Sequence, residues 1–262
     1  MNARRIYAVM DKEWTLTFHN WLVWVAILLP PAALAALLLC VCHQIHFVLD
    51  YVSQLLTQNK ITQLKTDEWS AWLMDYFLMF FVALPAANAT RFAAGGIIAD
   101  KASRSLEPQL ATPLTTGEFI FGKVLAAVVP PVFAAMAACG IFLHVTRSWG
   151  ITQCHLLGNT GNWSCRAAIF TLTLLLTNLL ALSGFIIASR KTEARGTSLT
   201  ATSFAQFARF FPPACIYWGY KRQIAGATWA LEIIGLLLLA NAVLFLFSQA
   251  LFQRETILFK WK

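Results

Sequence analysis

The chain has 262 residues, 58% of them hydrophobic and 12% charged, with a mean hydropathy of +0.63 and a formal net charge of +8. Soluble domains carry roughly 25% charged residues, so this composition excludes a soluble globular domain and leaves a polytopic membrane protein. The basic residues stand in short groups between apolar runs, which suits anionic lipid and topology control and speaks against a nucleic acid partner.

In chain order, the first expected element is a helix within residues 1–20, where Ile6, Val9, Met10 and Trp14 recur at helical spacing and Arg5, Asp11, Lys12 and Glu13 fall on other faces. That pattern predicts a helix lying in the inner membrane interface. The uncharged run Trp21–Val41 follows and is long enough to span, so no cleavable signal peptide is expected. Residues 44–68 form a long polar outer connection, partly helical. A second span covers Trp69–Thr90 and contains Asp75. The polar stretch 94–118 then returns to a third span, Phe119–Leu143, which opens with Lys123. Ala167–Ala188 is the fourth span, and the inner loop 189–198 leads to the weakest, Leu199–Trp218, with Arg209 inside it and Pro212-Pro213 near its end. Thr228–Phe252, with Glu232 in its first turns, is the sixth. With both termini inside, thirteen Lys and Arg residues fall on inner segments against six outside, namely Lys60, Lys65, Arg147, Arg166, Lys221 and Arg222. The positive-inside rule therefore predicts an all-α membrane protein of six spans in a single domain, both ends cytoplasmic.

Three groups invite chemical readings. Cys40, Cys42, His43 and His46 have residue types that hold copper or zinc, yet no second close-spaced pair completes a four-ligand site, and cysteine and histidine are common at span ends. They are weak metal candidates. Cys154 and Cys165 lie in one outer loop and are candidates for a disulfide in an oxidising space. Asp75, Arg209 and Glu232 are ionisable groups within spans, where each costs at least roughly 2.5–3.5 kcal/mol if lone. Either a shared ion-pair network or separate snorkelling would lower that cost.

Residues Gly117–Lys123, GEFIFGK, match the first seven positions of a phosphate-binding P-loop. A working P-loop needs small residues around the phosphate and Ser or Thr after the lysine to hold Mg²⁺. Here the interior is bulky and Val124 follows Lys123. The residues fit a helix start instead, with Thr115 or Thr116 as N-cap, Glu118 in the first turn and Lys123 snorkelling to the inner lipid surface. No residue of the chain is expected to perform covalent chemistry.

The whole stretch nevertheless resembles the hallmark loop of ABC type-2 transporter permeases, through Leu106, Glu107, Leu110, Thr112, Pro113, Leu114, Thr115, Glu118, Gly122 and Lys123. Weaker agreements are the Lys12-Glu13 pair, the loop SRKTEARGTS at 189–198 and the closing FQRETILFK at 252–260. The chain departs from the pattern at 102–105 (ASRS), at Gln109, and in a short connection between the last two spans, where Pro212 to Tyr220 stand in for a helical pair. The resemblance implies the transmembrane half of an exporter in the bacterial inner membrane. It would pair with a second permease copy or a homologous one, and with two separate ABC ATPase subunits that bind ATP and Mg²⁺. This chain would then need no cofactor of its own, would contact membrane lipids, and could meet a periplasmic accessory protein. Arg104, Leu106, Glu107, Leu110, Thr112, Pro113, Thr115 and Glu118 would face the ATPase, with a short helix around Ser103–Ala111 transmitting its push. The other readings are a non-transporting assembly or sensor subunit with the same fold, a copper- or zinc-handling permease, and an intramembrane enzyme, the last lacking a paired acid or His-rich helical motif.

Overall fold

A computed structural model of the protein describes residues 2–58, 66–103, 105, 114–151, 153–154, 158–190, 214 and 227–251. Its elements are α1 (Ala3–Phe18), α2 (Trp21–Gln58), α3 (Thr66–Ala102), α4 (Thr116–Ser148), a two-strand ribbon of β1 (Gln153–Cys154) and β2 (Gly158–Asn159), α5 (Trp163–Arg190) and α6 (Ala227–Leu251). Five of the helices, α2 to α6, are long and apolar enough to cross a membrane. They coincide with five of the six expected spans. The expected fifth, Leu199–Trp218, lies outside the described residues apart from Ala214, as do most of the inner loop 189–198, the closing segment and, Ala214 again excepted, the 212–220 connection.

The helices run further than the apolar runs alone indicate. α2 continues unbroken for 38 residues, about 57 Å against a hydrocarbon core of about 30 Å. Its last turns, expected as an outer connection, therefore stand clear of the bilayer. α3 likewise carries on to Ala102, so the predicted polar stretch 94–118 is helix at its near end and shrinks to the residues between Ala102 and Thr116. Gly95 and Gly96 do not break α3, because Ala93, Ala94 and Ile97 beside them are buried against the neighbouring helices.

Each proline inside a helix removes a backbone donor and frees the carbonyl four residues earlier. Pro30 frees Ala26, whose oxygen receives a long 3.5 Å contact from the Asn88 side chain of α3. Pro130 frees Ala126, whose oxygen accepts a 3.1 Å hydrogen bond from the Trp14 indole of α1. At each of these two proline pairs a neighbouring helix thus reaches one freed carbonyl, as apolar surroundings favour.

α3 packs most extensively on α5, with α4 against both and α2 and α6 at the periphery. A Cβ on Gly184 of α5 would lie 2.7 Å from Thr90 Cγ2 and 2.9 Å from its carbonyl oxygen, so the two backbones meet closely there, as small residues permit in membranes. The core has two layers. One holds Met74, Leu78, Phe81, Phe142, Leu172 and Trp229, and the other, nearer α1, holds Ile97, Phe119, Ile120, Val128 and Phe185. α6 shows most of its leucines outward but is tied in by Asn241, which donates to Leu175 O at 3.0 Å and accepts from Asn178 at 2.9 Å. α4 ends on Gly150, whose φ of +80° allows the chain to reverse while the Ile151 amide reaches back to Thr146 O.

Candidate coupling site at the base of the bundle

The first turns of α4 organise one end of the molecule. Thr115 is the N-cap, and a capping box joins its side chain to the Glu118 amide while Glu118 accepts from the Thr115 amide. This is the helix start expected from the sequence. The other Glu118 oxygen accepts from the Asn2 amide at 2.6 Å, and Arg5 Nη1 lies 3.7 Å from the carboxylate. Glu118 is only 2% exposed, so it serves to fasten α1 rather than to meet solvent.

One turn further on, Gly122 provides the room that α1 needs. A Cβ there would sit 2.9 Å from two Val9 carbons and 3.3 Å from the Ile6 carbonyl oxygen. The Ile6, Val9 and Trp14 stripe, expected to face lipid, therefore packs on α4, while Tyr7 and Leu16 on other faces are exposed.

Lys123 departs most from expectation. It does not snorkel to the lipid surface; it is 4% exposed and its ammonium contacts two carboxylates, Glu13 of α1 at 2.6 Å and Asp100 of α3. Lys12 adds a 3.7 Å contact to Asp100, and Ser105 Oγ donates to the same carboxylate at 2.7 Å. The physical reason is positional. Lys123 lies on the face of α4 covered by α1, and an ammonium shut in there needs opposite charge and hydrogen bonds within reach. Beside it is a cavity of about 20 Å³ lined in part by Glu13, Trp14, Lys123 and Pro130, room for about one water. Next to Asp100, Lys101 donates to the Ala188 and Ser189 carbonyls at 2.8 and 2.9 Å, capping the last turn of α5. Four helices thus meet around one ionic cluster. The P-loop-like heptad is helix throughout, with its lysine already engaged.

The segment that carries the family resemblance hangs from this cluster. Its near end is fixed by Ser103 and Ser105 folding back on Ala99 and Asp100, its far end by the Thr115 cap. Of the residues assigned to the ATPase-facing set, Thr115 and Glu118 are described; Arg104, Leu106, Glu107, Leu110, Thr112 and Pro113, and with them most of the Ser103–Ala111 helix, lie outside the described residues.

The family profile described as "ABC-2 family transporter protein" matches residues 7–225. The chain belongs to that family. It is therefore a multi-pass permease of an ABC transporter, the transmembrane component that associates with ABC ATPase subunits. No curated protein and no solved structure matches the chain significantly.

The remaining candidates of the permease are scattered. Asp75 is fully buried, Glu232 is exposed on α6, and Arg209 lies outside the described residues. On the continuous α2, Cys40 and Cys42 point about 200° apart, the first exposed and the second buried. His43 stacks near Trp149 at 5.5 Å, and the His46 side chain is outside the described set. Among the described residues no three His, Cys, Asp or Glu side chains come together as a metal site. Of the expected Cys154–Cys165 pair, only the Cys165 side chain is described. α5 begins before Cys165, which turns its thiol inward, where it is free and 3% exposed, while the Cys154 side chain falls outside the described set.

Sequence reasoning missed Glu13 and Asp100 as partners of Lys123, and Trp14 as donor to Ala126. Both had a signal. A lysine two turns into an apolar span requires a counter-charge, and an internal proline requires a donor for the carbonyl four residues back.

Proposed function

We propose that the permease forms the substrate path of an ATP-driven exporter in the bacterial inner membrane, with both termini cytoplasmic. It works as a pair with a second copy or a homologous permease, and two separate ATPase subunits bind Mg²⁺ and ATP. Closure of those subunits presses on the segment between α3 and α4. The observation that carries this reading is the ionic cluster joining Glu13, Asp100 and Lys123, because it makes α1, the end of α3 and the start of α4 one body. A push on the 103–115 segment would then tilt α4 about its Pro130-Pro131 pair instead of bending a loose loop. Glu107 belongs to the docking surface, and Gly122 to transmission.

Co-expression with the cognate ATPase tests this. Glu107→Lys should lower ATPase co-purification, since like charges across an interface are costly. Gly122→Leu, which forces α1 off α4, should keep the ATPase bound yet lose cargo-dependent ATP hydrolysis. Wild-type coupling in both variants would sink the reading.

A further inference from the structure

At the end of the bundle away from α1, a crevice of about 210 Å³ opens between α4 and α5, far larger than the ~10–15 Å³ one water needs. Met136, Gly140, His144 and Arg147 follow one another along one face of α4, so the crevice runs about 16 Å along the helix. Its deep part is apolar, with Met136, Leu143 and Ile169, and nothing lies within 4 Å of where a Gly140 side chain would begin. Its mouth is cationic. Arg147 and His144 are exposed there, and Arg166 is held in place by Nε donating to Thr160 O at 3.2 Å and by its guanidinium over the Trp163 ring. No carboxylate is among the described residues that line it. Trp163, 82% exposed, and Trp149 sit at the same level as the two arginines, the depth at which tryptophans mark the headgroup region.

We propose that this crevice binds one anionic phospholipid, its phosphate between Arg147 and Arg166 and an acyl chain over Gly140 toward Met136. Guanidinium forks match phosphate oxygens, and an apolar channel leading inward from the headgroup level matches a chain. The site is remote from the ATPase-facing base and stands whether or not the coupling proposal holds.

Full-length protein in mild detergent, titrated with phosphatidylglycerol or phosphatidylcholine and followed by native mass spectrometry, tests it. Phosphatidylglycerol should be retained at one per chain, and phosphatidylcholine, whose cation faces the arginines, much more weakly. Arg147→Gln should weaken phosphatidylglycerol about tenfold, the loss of one charge-assisted contact. Gly140→Leu, which enters open space and leaves the melting temperature unchanged, should abolish the one-per-chain adduct. Equal retention of the two lipids, or wild-type phosphatidylglycerol retention in either variant, overturns the proposal. Displacement by millimolar inorganic phosphate alone would mean a small-anion site. A Gly140→Leu change in oligomeric state with lipid retention unaltered would mean a protein interface. Either result also overturns it.

Discussion

Lys123 shows how one residue can satisfy a sequence motif and serve another purpose. Its ammonium joins Glu13 and Asp100, and all three side chains are largely shut away from water. Removing one partner from a buried ionic group costs about 3–5 kcal/mol, because the remaining charge stays buried and uncompensated. Lys123→Met should therefore lower the thermal unfolding midpoint in detergent by several degrees, and adding Asp100→Asn should recover part of that loss. A Lys123→Met protein as stable as wild type would mean the cluster is solvated. Trp14 permits a sharper measurement. Its indole serves the Ala126 carbonyl only because Pro130 has no amide to offer. Trp14→Phe should cost about 1 kcal/mol, and nearly nothing in a Pro130→Ala background, where the helix supplies its own donor. Additive effects of the two substitutions would refute the link.

At the scale of elements, the sequence conveyed the spans far better than their contacts. Apolar runs locate α2, α4, α5 and α6 to within a turn or so at most ends, because hydropathy is a local property. The continuation of α2 to Gln58 and of α3 to Ala102 is not local; polar helices outside a bilayer look like polar loops, and α3 survives Gly95-Gly96 through packing. The role of α1 was legible in part. The apolar stripe was visible, but whether it met lipid or protein depended on Gly122 clearing a path more than a hundred residues away. The Thr115 cap and Glu118 could be read directly, since a capping box is written in four consecutive residues. Asn241 could not, because its partners lie on α5, 63 to 66 residues away. Interhelical hydrogen bonds of this kind average about 0.6 kcal/mol each, and α6 has few other polar ties among the described residues. Asn241→Leu should accordingly make α6 more susceptible to limited proteolysis at its ends while leaving α3, α4 and α5 protected. Unchanged cleavage kinetics would show that apolar packing alone holds α6.

For the whole molecule, orientation is the open variable that charge predicts. On the six-span reading, thirteen of the Lys and Arg residues fall on inner segments, so the positive-inside rule predicts that the proposed coupling surface lies inside. In a background without its native cysteines, Tyr51→Cys on the projecting end of α2 should react with a membrane-impermeant maleimide in intact cells. Ser103→Cys should react only after permeabilisation. The reverse pattern would invert the molecule and place the proposed coupling surface outside.

The Glu13–Lys123 contact closes a loop of 110 residues, and this sets an order on how the protein is made. α1 leaves the ribosome before α3 and α4, and its binding groove on α4 exists only after both have been made. Until then an amphipathic helix such as α1 is expected to rest at the membrane surface through its apolar stripe. Amphipathicity that ends as protein contact thus begins as lipid contact, so one stripe of residues supports two successive stages of biogenesis.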